Sequence, residues 1–324
     1  MKPKVFITKK VSKEVKEYIG NYCDFQVWDS EDPIPREILL KEVEEIDGLL
    51  NHSNKINNEL LDRAKHLKVV SNMSVGYNNF DIEAMKQRNI IGTNTPGVLN
   101  ETVADTVMAL ILASARRVTE LDRYVKEGKW NKLIGEDLFG TDVHDTTLGI
   151  IGMGRIGTAI ARRAKFGFNM DIIYNNQTRN LQGEEELGAK FCPLDELLQQ
   201  ADFVLMMTPL TEKTRDMIGA REFSLMKDTA VFINASRGET VDESALYHAL
   251  KNGTIRAAAL DVYVKEPVDP QNPLLQLNNI VTLPHIGSAV KKTRDAMAMM
   301  AAENLIKALQ GEEPPNIIEE HKTK

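Results

Sequence analysis

The chain is 324 residues long, with 42% hydrophobic and 27% charged residues, enough for two globular domains with a substantial core. Its 40 Lys and Arg stand against 47 Asp and Glu, a net charge of −7, which argues against a nucleic-acid surface because that needs a basic stripe. The start lacks the continuous apolar region of a secretion signal, and no apolar run reaches the roughly 18–20 residues that span a bilayer. Cys23 and Cys192 are too few for a disulfide framework or a zinc site, and no His/Cys/carboxylate group has metal-ligand spacing, so a cytoplasmic chain without a metal is expected.

In chain order, short β-like runs are predicted at Val5–Thr8, Gln26–Trp28, Gly48–Asn51, Val69–Asn72 and Ile90–Thr93. Polar stretches of helical character follow them, such as Asn57–Lys65 and Asp81–Arg88. Parallel strands need crossovers, so this alternation predicts a parallel sheet covered by helices. The series stops at Asn94-Thr95-Pro96-Gly97, which reads as a linker. Asn100–Val118 then reads as one long helix, with Glu101 and Asp105 near its start and Arg116-Arg117 near its end, as the helix dipole favours. The less regular Lys126–Asp145 segment, which holds Trp130, is either a surface loop or an arm that packs on a second subunit.

A second series of strands is predicted at Leu148–Ile151, Asp171–Tyr174, Phe203–Met207, Val231–Asn234, Ala257–Val262 and Ile280–Leu283, followed by a last helix over Lys292–Leu309. The first of these strands runs into Gly152-Met153-Gly154-Arg155-Ile156-Gly157, a G-x-G-x-x-G placed between the strand and a helical stretch expected over Thr158–Ala164. Such a turn brings backbone amides at a helix N-terminus up to a dinucleotide pyrophosphate. About 20 residues on, an acidic residue is expected to hold the ribose 2′-hydroxyl. Here the next strand ends Asn175-Asn176-Gln177-Thr178-Arg179, with no carboxylate and with a guanidinium suited to a 2′-phosphate. NADP(H) is therefore expected over NAD(H), with NAD(H) also usable.

Three strand ends carry groups suited to the reduction of a 2-keto acid: Asn234-Ala235-Ser236-Arg237-Gly238, Leu260-Asp261 through Glu266-Pro267, and Pro284-His285-Ile286-Gly287-Ser288. An always-charged Arg237 can hold a carboxylate bidentately and polarise a carbonyl. His285 can supply a proton near neutral pH, and Glu266 can orient it. Asn51 and His52 end a strand and either line a substrate site or face solvent.

These segments, with Ser74-Val75-Gly76-Tyr77-Asn78-Asn79, Asn94-Thr95-Pro96-Gly97 and Thr208-Pro209-Leu210, resemble the D-isomer-specific 2-hydroxyacid dehydrogenases over nearly the whole chain. Within them the chain is most similar to the glyoxylate, hydroxypyruvate and 2-ketogluconate reductase branch. The resemblance implies two doubly wound, Rossmann-like α/β domains with the active site in a cleft that closes around the substrate. It divides the chain into a discontinuous substrate-binding domain, 1–99 plus 287–324, and a dinucleotide-binding domain, 100–286. Arg237 is implied to bind the substrate, His285 to be the proton donor, Glu266 to pair with it, and the Val75 and Gly76 amides to hold the carboxylate. Asp261 is implied to lie near the nicotinamide, with Thr102, Thr208, Pro209, Ala235 and Ser288 as further cofactor neighbours. NADP-preferring relatives often have Arg where this chain has Gln177. A homodimer is also implied. Two other outcomes stay open: a phosphorylated substrate in the same fold, and a nucleotide-sensing scaffold.

Overall fold

The computed structural model describes residues 2–322. In chain order its regular elements are β1 (Lys4–Ile7), α1 (Lys13–Tyr22), β2 (Asp24–Val27), α2 (Arg36–Glu42), β3 (Gly48–Asn51), α3 (Asn58–Arg63), β4 (Val69–Asn72), α4 (Ile82–Gln87) and β5 (Ile91–Thr93). Then come α5 (Asn100–Ala115), α6 (Val118–Lys126), β6 (Thr147–Ile151), α7 (Arg155–Phe168), β7 (Asp171–Asn175), α8 (Leu181–Leu187), β8 (Lys190–Phe191) and α9 (Leu194–Gln200). The chain continues through β9 (Phe203–Met206), α10 (Ala220–Leu225), β10 (Val231–Asn234), α11 (Glu243–Lys251), β11 (Ala257–Leu260), β12 (Ile280–Thr282) and α12 (Lys291–Leu309). It divides into two compact units, Met1–Leu99 with Ala289–Lys324, and Asn100–Ser288.

The first unit is a five-stranded parallel sheet in the order β2-β1-β3-β4-β5. β3 and β4 are buried along their whole length, as strands with helices on both faces must be. α12 packs on β3, β4 and β5, and it is tied there by polar as well as apolar groups. Ser71 Oγ donates to Ala301 O at 2.7 Å, and the fully buried Asn304 donates from Nδ2 to Asn94 O at 3.0 Å. Asn316 in turn donates to Asn304 Oδ1 at 3.1 Å.

The second unit is a seven-stranded parallel sheet in the order β12-β11-β10-β9-β6-β7-β8. From β6 the chain winds outward through β7 and β8, then returns to β9 on the other side of β6 and winds the opposite way. The strand order thus reverses between β6 and β9, and the loops on the carboxyl ends of the strands there form the usual ligand crevice of such a sheet. α9, α10 and α11 cover one face around Phe223 and Phe232, whose rings meet edge to face at 5.4 Å.

Two expectations need correction, and one element was not foreseen. The long helix expected over Asn100–Val118 ends at Ala115, and a second helix starts at Val118. Arg117 adopts a left-handed φ of 56°, pairs with Glu120 and donates to Asp137 O at 2.6 Å, while Thr141 N caps Ala115 O at 2.9 Å. The helix after the glycine turn begins at Arg155, so Gly157 lies inside its first turn. The two-residue strand β8 was not anticipated, being too short to carry a pattern. Among the described residues no helix is long and apolar enough to cross a membrane.

The buried contacts of α12 yield a stability prediction. Asn304→Ala strands the Asn94 carbonyl and the Asn316 amide, and should cost about 1–3 kcal/mol in urea denaturation. A midpoint equal to that of the parent chain would show that packing alone holds this helix.

Candidate active site

In the second unit the chemistry-bearing side chains follow one another along the carboxyl ends of β10, β11 and β12. β10 ends in Asn234, whose Nδ2 donates to Arg237 O at 2.9 Å and whose Oδ1 accepts from Ser236 N at 3.0 Å. Thr240 Oγ1 also donates to Arg237 O, at 2.7 Å, so the Arg237 backbone is held from two sides. Its partly buried guanidinium donates from Nη1 to Ser236 O at 2.7 Å. Burial pulls its pKa below the ordinary arginine value, while the nearby Glu266 and Glu239 carboxylates oppose this.

Gly238 carries the next link. A Cβ there would lie 1.9 Å from the Tyr263 carbonyl carbon, so only glycine lets the turn after Arg237 rest on the strand-end loop of β11. That loop bears Glu266, whose Oε1 accepts from Tyr263 N at 3.0 Å and whose Oε2 meets His285 Nδ1 at 2.7 Å. Burial works to raise the Glu266 carboxyl, but the His285 hydrogen bond and charge, the Tyr263 amide and Arg237 outweigh it and hold it below the ordinary glutamate value. Both side chains keep an accessible face, 47% for His285 and 36% for Glu266, as groups that meet a ligand must.

His285 itself sits at φ 53°, in the left-handed region that a bulky residue adopts only when its surroundings enforce it. The enforcing group is Asp261, at the end of β11. Its nearly buried carboxylate accepts from Ile286 N at 2.7 Å and from Gly287 N at 2.8 Å. Burial raises the Asp261 pKa, and those two amides act against it. Thr106 Oγ1 joins Gly287 O to Thr102 O on α5, at 3.4 and 3.3 Å, which places Thr102 and Ser288 beside this loop.

The dinucleotide-type loop follows β6. Gly152 has φ 99° and its missing Cβ would lie 2.8 Å from the Met207 and Thr208 backbone, so the turn needs glycine. A side chain at Gly154, by contrast, would meet nothing within 4 Å, leaving the backbone there open to a pyrophosphate. Arg155, Ile156 and Gly157 form the first turn of α7, where helix geometry leaves amides without intrahelical acceptors. These residues fit a dinucleotide. Thr208 and Pro209 lie just past β9 and Ala235 just past β10, on the same edge of the sheet.

Beyond β7, Asn176 is engaged by the loop itself: Met153 N donates to its Oδ1 at 2.7 Å, and its Nδ2 donates to Met153 O at 3.2 Å. Gln177 is exposed. Arg179 grips Glu184 with Nε and Nη2. A carboxylate therefore does stand beside the β7 end, brought there by α8 rather than by the strand. No signal at the strand end itself could reveal it.

In the first unit, β3 and β4 end in an asparagine network that the sequence did not disclose. Asn51 is fully buried, donating to Asn72 Oδ1 at 2.9 Å and accepting from Asn54 Nδ2 at 3.0 Å. Asn72 Nδ2 donates to Asn79 Oδ1 at 2.8 Å, and Asn79 Nδ2 donates to Asn54 O at 2.8 Å. Asn94 Nδ2 donates to Val75 O at 2.8 Å, and Ser74 Oγ to Gly76 O at 2.7 Å. With both carbonyls tied inward, the Val75 and Gly76 amides donate to no acceptor among the described residues. Asn51 thus shapes this loop from beneath, while the backbone of His52 is fixed by Thr8 Oγ1 at 2.9 Å.

Comparison with known proteins identifies the family. The model of the D-isomer specific 2-hydroxyacid dehydrogenase NAD-binding domain matches residues 108–287. The chain is 48% identical over 318 residues to glyoxylate/hydroxypyruvate reductase B of Escherichia fergusonii, covering 98% of each chain. Among solved structures, a Thermus thermophilus protein superposes with a TM-score of 0.90 at 41% identity, covering 97% of this chain and 99% of that one. An NADPH-dependent glyoxylate/hydroxypyruvate reductase from Sinorhizobium meliloti, in complex with NADP and malonate, gives 0.86 at 31% identity, covering 99% and 98%. The family match, the parallel sheets and the glycine loop together make this chain a member of the D-isomer specific 2-hydroxyacid dehydrogenases, an oxidoreductase with a nicotinamide-dinucleotide-binding domain.

Proposed function

We propose that the chain reduces small 2-keto acids to D-2-hydroxy acids, with glyoxylate and hydroxypyruvate as first substrates, 2-ketogluconate as a longer one, and NADPH favoured over NADH. The observation that carries this reading is the 2.7 Å contact between His285 Nδ1 and Glu266 Oε2, on a loop that Asp261 holds in a left-handed turn. A nicotinamide dinucleotide held at the Gly152–Gly157 loop would supply the hydride that the carbonyl carbon accepts. Arg237 holds the carboxylate and draws charge onto the carbonyl oxygen, where a fixed cation stabilises the developing alkoxide. His285 delivers its proton from Nε2 to that oxygen, with Nδ1 engaged by Glu266, which keeps the ring oriented. The Val75 and Gly76 amides contribute further donors for the carboxylate. The glyoxylate/hydroxypyruvate reductases that the chain is similar to support the substrate class, and Arg179, in a strand-end segment that itself carries no carboxylate, supports NADPH. The exposed side chains of Trp130, Leu133, Ile134 and Phe139, 93% accessible at Leu133, support assembly into a homodimer through the 126–145 segment.

Loss of absorbance at 340 nm tests the reaction, with each keto acid paired with NADPH and NADH. His285→Ala should lower kcat about 10²–10⁴-fold while NADPH affinity stays within about twofold. Rapid turnover in that variant, or none in the parent with any pair, would sink the assignment.

The Glu266 contact gives a pH signature. A carboxyl held below its ordinary value contributes stability above the unfolded-state pKa and loses it as pH falls through the folded one. The Tm of the parent should therefore exceed that of Glu266→Gln at neutral pH, and the gap should close below the ordinary glutamate range. A gap independent of pH would show that the carboxylate is not what Glu266 contributes.

Sedimentation velocity addresses assembly: the parent should run as a dimer, and Leu133→Asp combined with Ile134→Asp as a monomer. A monomeric parent would remove the arm reading.

A further inference from the structure

Arg179, the one strand-end cation that the cofactor preference rests on, is not free to act alone. Its guanidinium is clamped by both oxygens of Glu184, with Nε 3.0 Å from Oε1 and Nη2 on Oε2. Glu184 is itself fixed, because the buried Tyr174 hydroxyl donates to Oε1 at 2.6 Å while accepting from Asn180 N at 2.8 Å. The Arg179 guanidinium also sits 6.0 Å above the centre of the Phe191 ring. Asn180 caps α8 and joins this group to the glycine loop, donating from Nδ2 to Met153 O at 3.0 Å and to Thr158 Oγ1 at 2.9 Å. Residues 176–180 therefore form the wall beside the glycine loop, where a dinucleotide fold places the adenosine ribose. Glu184 is the more enclosed partner, 18% accessible against 58% for Arg179, and hydrogen bonds from Arg179 and Tyr174 keep its carboxyl below the ordinary value despite the opposing effect of burial.

We propose that Glu184 sets the balance between NADP(H) and NAD(H) by occupying Arg179. This rests on the reading that the chain binds a nicotinamide dinucleotide with its adenosine end at the close of β7. The Arg179–Glu184 pair carries no net charge. A 2′-phosphate must therefore share the guanidinium with a carboxylate that also repels it. An unphosphorylated ribose meets no excess positive charge and suffers no such competition. The wall thus accepts both cofactors and keeps the preference for the phosphorylated one small. Removing the carboxylate charge while retaining an acceptor for Tyr174 and Arg179 frees the cation for the phosphate.

The test is isothermal titration of the full chain with adenosine 2′,5′-bisphosphate and with 5′-AMP, which differ only by the 2′-phosphate. Glu184→Gln should tighten the bisphosphate about threefold to tenfold and leave 5′-AMP within twofold, the scale expected for one partly exposed charge pair. Arg179→Ala should weaken the bisphosphate alone, and the Glu184→Gln gain should vanish in the double variant. Unchanged or weaker bisphosphate binding by Glu184→Gln, with parent-like Tm, overturns the proposal, as does a gain that survives without Arg179. A parent chain that binds neither fragment overturns the dinucleotide reading itself, whereas a parent that binds both with variants indistinguishable from it overturns this proposal only.

Discussion

The Asp261 carboxylate accepts the amides of Ile286 and Gly287, and the arrangement of Arg237, Glu266 and His285 depends on that pair of hydrogen bonds. An imidazole can point at Glu266 from this loop only if His285 takes a left-handed backbone, a conformation unfavourable for its type by roughly 1–3 kcal/mol. Two charge-assisted bonds to a nearly buried anion are worth about that much or more. The cost of withdrawing Asp261 from water is thereby converted into a fixed direction for one side chain. Gly238 does the complementary task for Arg237, letting the turn after β10 lie directly on the Tyr263 backbone. Arg237, Glu266 and His285 are thus set by backbone geometry in three adjacent strand ends rather than by long flexible side-chain contacts.

The same economy governs the first unit. There, Asn94 and Ser74 hold the loop after β4 by the Val75 and Gly76 carbonyls, while Asn51, Asn54, Asn72 and Asn79 bond to one another at the ends of β3 and β4. Neutral amide groups suit this task, because they can be paired in a buried space without burying a charge. Asparagine supplies donor and acceptor from one short side chain, which is what a closed network in a buried space requires.

Much of the fold was legible because buried parallel strands read as continuous apolar runs: Val231-Phe232-Ile233-Asn234 and Gly48-Leu49-Leu50-Asn51 were placed to the residue. Short or tertiary features were not. The break at Arg117 depends on Thr141 reaching back to Ala115, a contact made across 26 positions of sequence, and β8 is only two residues long. In the site, Arg237, Glu266 and His285 each stood out as a charged or titratable group just past an apolar strand. Glu184 did not, since nothing local distinguishes it from Glu185 and Glu186 beside it. Only the turn of α8 decides which of the three faces Tyr174 and Arg179. Asn72, at the end of a predicted strand, and Asn79, within a loop motif, likewise gave no sign of the network between them.

The reversal of strand order between β6 and β9 also separates the chain's chemistry along its length. On the proposed reading, the groups beside the adenosine half of the cofactor fall within one uninterrupted stretch, 147–200, whereas Arg237, Glu266 and His285 come after it. A recombination that exchanges the first stretch between relatives would carry the glycine loop, Asn176, Arg179, Tyr174 and Glu184 together, with their mutual contacts intact. Its cut points fall at the start of β6 and the end of α9, and its new seams are the packing of α5 on α7, where Arg163 pairs with Glu101 and Asp105, and the β6–β9 pairing. On that reading, the residues that set cofactor choice form one contiguous segment of the chain, apart in sequence from Arg237, Glu266 and His285.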